Sequence, residues 1–182
     1  MSSDSQIVVS PRDRILTVAG RLFRRDGYRA IGVDRVIAEA EVAKATFYKH
    51  FPSKDALIVA WIGLAEAQSK AAPEVASATP LTDFAEKLIE VAQRPGCLGC
   101  ACQAAASEFG DLAHPAHQAA LGVKRRLIAD LTDRATRQGL AEPGVVAEMV
   151  FLLVEGVFAA KRMFGPEAPI GHAKAALQRL IG

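Results

Sequence analysis

Helix start and stop signals follow one another along almost the whole chain, and they constrain its fold more than any other feature. The first start is at Ser10 and Pro11, where a side-chain oxygen that can cap free amides precedes a proline suited to the first helical position. Gly27 ends the same segment, because glycine readily adopts the left-handed conformation that follows a helix. Between them, apolar residues recur with the period of a helix that buries one face: Ile15, Val18, Ala19, Leu22 and Phe23.

The same signals predict eight further helices and almost no strand, so the chain is predicted to be an all-α protein of nine helices. Pro52 and Ser53 interrupt the chain before the fourth helix, and Arg94, Pro95 and Gly96 end the fifth. After the first, the predicted spans are about 33–40, 44–50, 54–71, 82–93, 102–109, 115–138, 143–164 and 170–181. Residues 73–80 begin and end with proline and are predicted to be a linker.

The composition is that of a globular protein and argues against other classes. Apolar residues make up 51% and charged residues 23% of the 182, which excludes a disordered chain. The most apolar stretch, residues 145–160, contains Glu148 and Glu155 and is too short to span a bilayer. The N-terminus lacks the basic and then apolar pattern of a secretory signal. Three cysteines, an odd number, favour a reducing cytoplasm over a disulfide framework.

Positive charge is concentrated in the N-terminal third of the chain. Residues 1–60 hold ten Lys and Arg against seven Asp and Glu, whereas the remainder holds twelve against thirteen. A basic N-terminal segment is compatible with nucleic-acid binding, and an excess of three charges also arises by chance.

Residues 32–51 are predicted to form a helix-turn-helix. Two short helices are joined by a three-residue turn, residues 41–43, and follow an amphipathic helix. In the second short helix, Phe47 and Phe51 are four positions apart and can anchor it inward. The side chains left to point outward can reach phosphates and base edges: Thr46, Tyr48, Lys49 and His50. Each of these alone could be a solvated surface residue, but their combination on one anchored helix predicts DNA binding.

The eighth predicted helix is apolar around nearly its whole circumference. Such a helix has to be buried on all sides. With one face on its own chain, the other can pack on a second copy across a twofold axis, and the alternative is a core helix of a monomer. The predicted interface residues come from this helix and the last one: Val146, Val150, Leu153, Val154, Val157, Leu177 and Leu180.

The stretch GYRAIGVDRVIAEAEVAKATFYKHFPSKDAL, residues 27–57, resembles the DNA-binding region of the TetR family of bacterial transcriptional regulators. The preceding ILTVAGRLFRRDGY is similar to the first helix of that family, and beyond residue 70 the resemblance depends on helix order alone. It implies a flexible tail over residues 1–9 and a helix-turn-helix DNA-binding domain over 10–56. Residues 57–182 would then form an effector-binding and dimerisation domain.

Position by position, the resemblance implies DNA contacts from the second and third helices and the start of the fourth. The implied contacts are Lys44 at the turn, Thr46 and Lys49 in the groove, Tyr48, His50 and Lys54 on phosphates, and Arg29 and Arg35 from the second helix and its approach. The sequence departs from the family pattern at Glu41, where glycine is usual, at Ala43, where Ser or Thr usually caps, and at Gly32. Each of the first two departures is expected to cost about 1 kcal/mol.

The resemblance also implies a cytoplasmic homodimeric repressor that leaves a near-palindromic operator when a small apolar or amphipathic effector binds. No cofactor is expected. Two recognition helices about 34–36 Å apart would lie in successive major grooves. The residues implied to line the effector pocket, each of which could instead be ordinary core packing, are Trp61, Phe84, Leu88, Phe109, His117, Leu121 and Phe151.

Cys97, Cys100 and Cys102 leave three interpretations open. They are small core residues of an alanine-rich segment, a thiol pair that responds to redox state, or, with His114 and His117, a zinc site. The zinc spacing is poor, because the two histidines are one residue closer than usual and Cys102 fits neither pair.

No enzyme motif is recognised in the chain. It has no nucleophile elbow, no phosphate-binding glycine loop and no HExxH sequence. A helical interaction module without DNA binding would leave Tyr48, Lys49, His50 and Lys54 without a use. The sequence therefore predicts a non-enzymatic DNA-binding regulator.

Overall fold

The structure, a computed structural model, describes residues 10–70 and 79–181. Within these residues the regular structure is helical and no strand occurs, which confirms the predicted all-α class. The predicted tail over 1–9 and most of the predicted linker over 73–80 lie outside the described residues. The nine α-helices of the described part are α1 (Pro11–Asp26), α2 (Val33–Glu39), α3 (Lys44–His50), α4 (Lys54–Lys70), α5 (Leu81–Gln93), α6 (Ala101–Glu108), α7 (Pro115–Arg137), α8 (Pro143–Phe164) and α9 (Ala173–Ile181).

The predicted start of the last helix is wrong, whereas the other helix bounds are close to those observed. Ile170 does not begin α9: its amide N–H donates to the carbonyl of Ala168 at 2.8 Å, and its own carbonyl accepts from Ala173 at 3.2 Å. These are turn bonds, and Gly171 favours a turn here because glycine has the least tendency among non-proline residues to stay helical. The amide of Ala176 makes the first helical bond, to the carbonyl of His172 at 3.0 Å.

The chain divides into two compact units between Trp61 and Ile62, within α4. Unit 1 contains α1, α2, α3 and the first part of α4. Unit 2 contains the remainder of α4 and α5 to α9. The boundary predicted from the sequence, between residues 56 and 57, falls earlier in the same helix.

Three aromatic rings lie at the centre of the core of unit 1. The centroid of Phe23 is 5.0 Å from that of Tyr28 and 6.1 Å from that of Trp61, and Tyr28 and Trp61 are 5.9 Å apart. All three side chains are buried. Ring pairs at these distances add to the stabilisation from area burial alone, so the cluster fastens the start of α4 to α1.

Gly20 of α1 is required by the close approach of Trp61. A Cβ atom built at this position would lie 1.9 Å from Nε1 and 2.7 Å from Cδ1 of the indole. Gly20→Ala is therefore expected to lower the free energy of unfolding by about 2 kcal/mol, because overpacking outweighs the higher helix propensity of alanine. Gly63→Ala is the matched control, since Gly63 lies inside α4 with open space around it. It should stabilise by about 1 kcal/mol. Thermal unfolding followed by circular dichroism measures both, and equal shifts would contradict the packing argument.

The core of unit 2 is formed by α5, α7, α8 and α9. The buried apolar side chains of these helices form one cluster. Partly buried residues such as Leu88, Phe151 and Leu180 pack against this cluster. The largest members of the buried cluster are Leu81, Phe84, Ile89, Leu131, Val150, Val154, Val157, Ile170 and Leu177.

Arg134 of α7 is the buried charged side chain of this unit. Its guanidinium carbon lies 4.1 Å from the centroid of the Phe84 ring, and its Nε donates to Asp130 at 3.0 Å. Its Nη1 donates to the carbonyl of Thr79. Ring, carboxylate and carbonyl together compensate the burial of this charge, and they fasten the chain that enters α5 to α7.

Four of the predicted dimer-interface residues are buried within a single chain. Val150, Val154 and Val157 of α8 and Leu177 of α9 all belong to the core of unit 2. Their burial leaves little of their surface for a second copy, and their role in an interface stays a prediction. Val146, Leu153 and Leu180 are partly buried at the edge of that core and stay predictions.

The opposite face of α8 is an exposed apolar stripe. Successive members are separated by four, three, four, three and four residues, which places them on one side of a helix. We call this set the α8 stripe, and its members are Val145, Met149, Leu152, Gly156, Ala159 and Met163.

By length and composition, residues 143–167 are apolar enough to cross a membrane, the one such stretch in the described chain, with a mean hydropathy of 1.8. The buried face of α8 is nonetheless central to the core of unit 2. Only 22% of its most apolar window is buried inside the chain, which leaves the α8 stripe without a partner in the described residues.

Candidate nucleic-acid interface

The turn between α2 and α3 closes with the hydrogen bonds of a Schellman motif. The amide of Val42 donates to the carbonyl of Ile37 at 3.3 Å, and that of Glu41 donates to the carbonyl of Ala38 at 3.2 Å. Glu41 has a φ of 51°, the left-handed conformation that its position in this motif requires. Nη2 of Arg14 donates to the carbonyl of Glu41 at 2.8 Å, so α1 holds the turn in place.

Glu41→Gly is expected to raise the free energy of unfolding by about 1 kcal/mol, because glycine has no Cβ to oppose the left-handed conformation. Glu41→Ala is the control, since it removes the carboxylate and keeps the Cβ. The single tryptophan, Trp61, lies in the core of unit 1, so its fluorescence during urea unfolding reports on this unit. If Glu41→Ala stabilises as much as Glu41→Gly, charge rather than backbone strain limits the turn.

Buried aromatic rings anchor α3. Phe47 is completely buried and its ring centroid lies 6.0 Å from that of Phe51, which is also buried. The guanidinium of Arg12 lies 5.6 Å from the Phe51 centroid. Ala43 is the N-cap of α3 and makes no side-chain capping bond. The position of this two-turn helix therefore depends on Phe47 and Phe51 rather than on its cap.

The polar side chains of α3 are exposed or half-buried. Tyr48 is 45% exposed and its ring meets that of Phe47 edge-on, with centroids 5.3 Å apart. Lys44 and Lys49 are exposed, and Thr46 is half-buried. His50, also half-buried, lies beside Phe51 at the C-terminal end of the helix. Apart from these, the outward surface of α3 carries only alanine.

Two lysines bracket α3 and each has a partner within unit 1. Lys44 Nζ lies 3.4 Å from a carboxylate oxygen of Asp34, in a pair exposed to solvent. Lys54 Nζ donates to the carbonyl of Arg29 at 3.2 Å. Ser53 Oγ accepts from the amide of Ala56 at 3.0 Å and caps the helix on which Lys54 lies. The hydrogen bond that Lys54 donates holds its side chain against the backbone of Arg29.

Arg35 belongs to an ion-pair network that joins α1 to α2. It contacts Glu39 at 3.0 Å and Asp26 at 3.2 Å, while Arg21 contacts Glu39 at 2.7 Å and Arg25 contacts Asp26 at 2.8 Å. Hydrogen bonds from Arg25 lower the pKa of Asp26, and bonds from Arg35 and Arg21 lower that of Glu39. The network therefore stabilises above the usual carboxyl pKa and is lost as the pH falls through the lowered values.

Comparison with known proteins places this interface in a family. The model for "Bacterial regulatory proteins, tetR family" matches residues 15–61, within unit 1. A TetR-family transcriptional regulator from Streptomyces coelicolor is 30% identical, and its solved structure aligns over 94% of each chain with a TM-score of 0.84. The chain belongs to the TetR family. This confirms the resemblance found in the sequence, and members of this family are DNA-binding transcriptional regulators rather than enzymes.

Other TetR-family and helix-turn-helix regulators are similar to the chain over different lengths. A TetR regulator from Legionella pneumophila is 22% identical with a TM-score of 0.81 over 97% of this chain, which shows a shared fold. The helix-turn-helix regulator YerO of Bacillus subtilis is 29% identical over 82 residues, and Rv1556 of Mycobacterium tuberculosis is 44% identical over 52. The matched segments span only 28% and 26% of these two curated relatives.

The residues predicted to line an effector pocket of this TetR-family chain lie in separate places. Trp61 packs against both Phe23 and Tyr28 in unit 1, and the Phe84 ring lies beside the guanidinium of Arg134 in the core of unit 2. Both stay predictions as pocket residues.

The other five predicted effector-pocket residues stay predictions. Phe109 is buried and its ring stacks on His114 with centroids 4.2 Å apart. His117 Nδ1 lies 2.8 Å from the carbonyl of Phe109. Leu88 and Phe151 pack against the core of unit 2, and Leu121 is half-buried on α7.

The three cysteines are free thiols, and the structure pairs them differently from the sequence pattern. The hydrogen-bonded pair is Cys100 with Cys102, not Cys97 with Cys100. Among the described residues, no group of three or more His, Cys, Asp or Glu side chains could hold a metal ion. His114 accepts from the amide of Ala116 at 3.2 Å and thereby caps α7.

Sequence reasoning missed residues that act through distant partners. Arg14, which holds the α2–α3 turn, and Arg134, which is buried in unit 2, both contact backbone carbonyls far away in the chain. A carbonyl acceptor leaves no trace in side-chain patterns. The α8 stripe was missed as well, because the sequence of a helix that is apolar all round does not show which half its own chain covers.

Proposed function

We propose that the protein is a homodimeric transcriptional repressor that inserts α3 into the major groove of a near-palindromic operator. The observation that carries the proposal is the division of α3 between two buried rings, Phe47 and Phe51, and an exposed polar side with Tyr48 and Lys49. An anchored helix with hydroxyl and cationic groups outward is the arrangement that helix-turn-helix proteins use to reach base edges and phosphates.

The proposed contacts follow the exposure of each side chain. Thr46 and Lys49 are assigned to base edges, where a hydroxyl and a cation can distinguish bases. The proposed phosphate contacts are Arg29, Lys44, Tyr48, His50 and Lys54. The Lys44–Asp34 pair is exposed, and exposed ion pairs are weak enough for a phosphate to displace the carboxylate. Arg35 stays a proposed DNA contact from α2, and its ion pairs with Asp26 and Glu39 also hold α2 against α1.

The α8 stripe is the proposed dimer interface. Its apolar side chains are exposed in the single chain, while Gly156 and Ala159 at its middle leave room for close approach of a second helix. A twofold axis through this face would make the contact self-complementary. Dimerisation would present two copies of α3, and two copies bound to successive major grooves predict an inverted repeat in the operator.

We place the small-molecule site in unit 2, with Leu88, Phe109, His117, Leu121 and Phe151 as its proposed lining. A small apolar or amphipathic effector would suit these side chains. To release DNA it has to favour the released state over the DNA-binding state, and couplings of this kind are typically about 1–3 kcal/mol. The proposed location of the protein is the cytoplasm, where the DNA is.

Selection of bound duplexes from a random pool tests this function. We expect enrichment of an inverted repeat, and sedimentation of the complex should give two protein chains per duplex. Affinity for the selected site should fall steeply as salt rises, because phosphate contacts release counterions. Small molecules are then screened for release of the protein from that duplex. A monomer bound to a single half-site, or a pool without enrichment, would contradict the proposal.

A further inference from the structure

A cluster of thiol and charged groups lies where α6, α7 and α8 meet in unit 2. Cys100 is the N-cap residue of α6, and Cys102 lies in the first turn of that helix. The two thiols are hydrogen-bonded to each other, and the charge of Lys124, on α7, acts on both sulfurs. Glu155, on α8, forms a 2.5 Å ion pair with Lys124. These residues are brought together from three helices.

The ion pair beside the thiols is largely removed from water. The side chains of Lys124 and Glu155 are each only 18% exposed. Gln103 Nε2 donates at 2.9 Å both to the carbonyl of Glu155 and to its carboxylate. A pair buried to this degree contributes little net stability, because desolvation offsets the attraction between the charges. Its position beside two cysteines points to a chemical role.

The cluster favours a thiolate on Cys100. The hydrogen bond from Cys102 lowers the pKa of Cys100 most, and the Lys124 cation and the amide of Gln103 act in the same direction, against burial and Glu155. The pKa of Cys102 is raised, because its proton is held in that bond and its side chain is buried. The thiolate is the reactive form of cysteine. The half-buried Cys100 is therefore expected to be the nucleophile of the pair.

Two other charged side chains near this end of α6 contact a carboxylate or a backbone carbonyl instead of the thiols. Arg126 of α7 makes two bonds to the carboxylate of Glu66, at 2.9 and 2.6 Å. Arg162 of α8 packs its Cβ near Gly99, and its Nη1 lies 3.5 Å from the carbonyl of Leu98. Lys124 and Glu155 are therefore the charges that face the thiol pair most directly.

We propose that Cys100 is a covalent acceptor for α,β-unsaturated carbonyl compounds, with Lys124 as the positioning residue that holds the thiolate and the carbonyl oxygen of the incoming compound. Its regulatory consequence, weaker operator binding, rests on the proposed function. The adduct would add volume at the meeting point of α6, α7 and α8.

The step balances without an oxidant. The Cys100 sulfur forms a bond to the β carbon, and the π electrons of the C=C bond move to give an enolate. The Lys124 ammonium stabilises the enolate oxygen. The α carbon then takes one proton from solvent, which replaces the proton that Cys100 released to solvent when it ionised. No electrons are lost or gained overall, and the product is a thioether with the carbonyl restored.

The test treats the 182-residue chain with methyl vinyl ketone at about pH 6 and follows adducts at each cysteine by peptide mass spectrometry. We expect Cys100 to react about tenfold faster than Cys97, because the Cys102 thiol and the Lys124 cation favour the reactive thiolate of Cys100. Cys102 should react least. Equal rates at Cys97 and Cys100, or faster reaction at Cys97, would overturn the proposal, as would a Cys100–Cys102 disulfide that forms with hydrogen peroxide faster than the enone adduct forms at equal concentration.

Two charge variants separate an electrostatic role from a structural one. Lys124→Met should slow the reaction of Cys100, whereas Glu155→Gln should speed it, because the two charges act oppositely on the thiolate. Cys97→Ser is the control and should leave the Cys100 rate unchanged. Changes of the same sign in both charge variants would overturn the role of Lys124. If either variant fails to fold, the pH profile of the wild-type rate decides: the Cys100 rate should level off at lower pH than that of free N-acetylcysteine.

DNA affinity is measured separately, so that the two proposals can fail independently. If the unmodified protein binds no duplex, the proposed function fails and the adduct site still stands on its rates. If the unmodified protein binds the selected duplex and complete modification of Cys100 leaves its affinity unchanged, the regulatory part of the inference is wrong. We expect at least about tenfold weaker binding, within the range of typical allosteric couplings.

Discussion

Leu152→Glu is expected to convert the proposed dimer into a monomer. Leu152 is 66% exposed in the single chain and lies at the middle of the α8 stripe. In the proposed interface the substitution would bury two carboxylates, one from each copy, with no cation of the stripe to pair with them. An uncompensated buried charge costs several kcal/mol. We therefore expect the dissociation constant to rise by at least about a hundredfold, or about 2.7 kcal/mol.

The control for this prediction is Leu112→Glu. Leu112 is 67% exposed and lies in the loop before α7, so it is not a member of the stripe. The two variants have the same chemistry and the same exposure and differ only in position. Analytical ultracentrifugation at micromolar concentration should show a monomer for Leu152→Glu and an unchanged dimer for Leu112→Glu. If both stay dimeric, the α8 stripe is not the interface.

Phe47→Ala is expected to unfold α3 by removing its anchor. The side chain is completely buried, and α3 has no capping side chain at Ala43 to compensate. Truncation of a buried phenylalanine typically costs about 3–5 kcal/mol, a large part of the stability of a unit of this size. Urea unfolding followed by Trp61 fluorescence should show the loss in unit 1.

Tyr48→Phe, at the next position of α3, should leave the stability of unit 1 nearly unchanged and weaken DNA binding. Its ring is retained and only the hydroxyl, on an exposed side chain, is removed. We expect a change in stability of less than about 0.5 kcal/mol together with weaker binding to all duplexes alike. If Phe47→Ala leaves unit 1 as stable as the wild type, α3 is held by something other than its buried rings.

The sequence was sufficient to predict the fold because its information is local. Ser10 accepts from the amide of Asp13 at 3.2 Å as an N-cap should, and Gly27 has a φ of 86° at the end of α1. Such signals depend on neighbouring residues only. The predicted start of α9 at Ile170 was wrong. Ile170 is a turn residue that is apolar because it is buried in the core of unit 2, and the sequence alone does not separate such a residue from the first residue of a helix.

The parts of the candidate site that depend on neighbouring residues could be predicted from the sequence, and the parts that depend on distant residues could not. The outward-facing side chains of α3 could be predicted, because the two phenylalanines that anchor the helix are four residues apart in the sequence. The register of α8 could not, because a helix that is apolar all round does not reveal which half its own chain covers, and Val150 and Val154 fell on the covered half. The cluster of Cys100, Lys124 and Glu155 was also out of reach, since its members come from three helices.

Duplex selection repeated with Lys49→Ala and Lys54→Ala decides whether α3 reads the DNA. We expect both variants to stay folded by Trp61 fluorescence and to bind DNA more weakly than the wild type. Lys49→Ala should change the bases enriched within each half-site, whereas Lys54→Ala should enrich the same inverted repeat as the wild type. If the three proteins enrich the same bases, or if none enriches an inverted repeat, α3 is not the helix that reads the DNA.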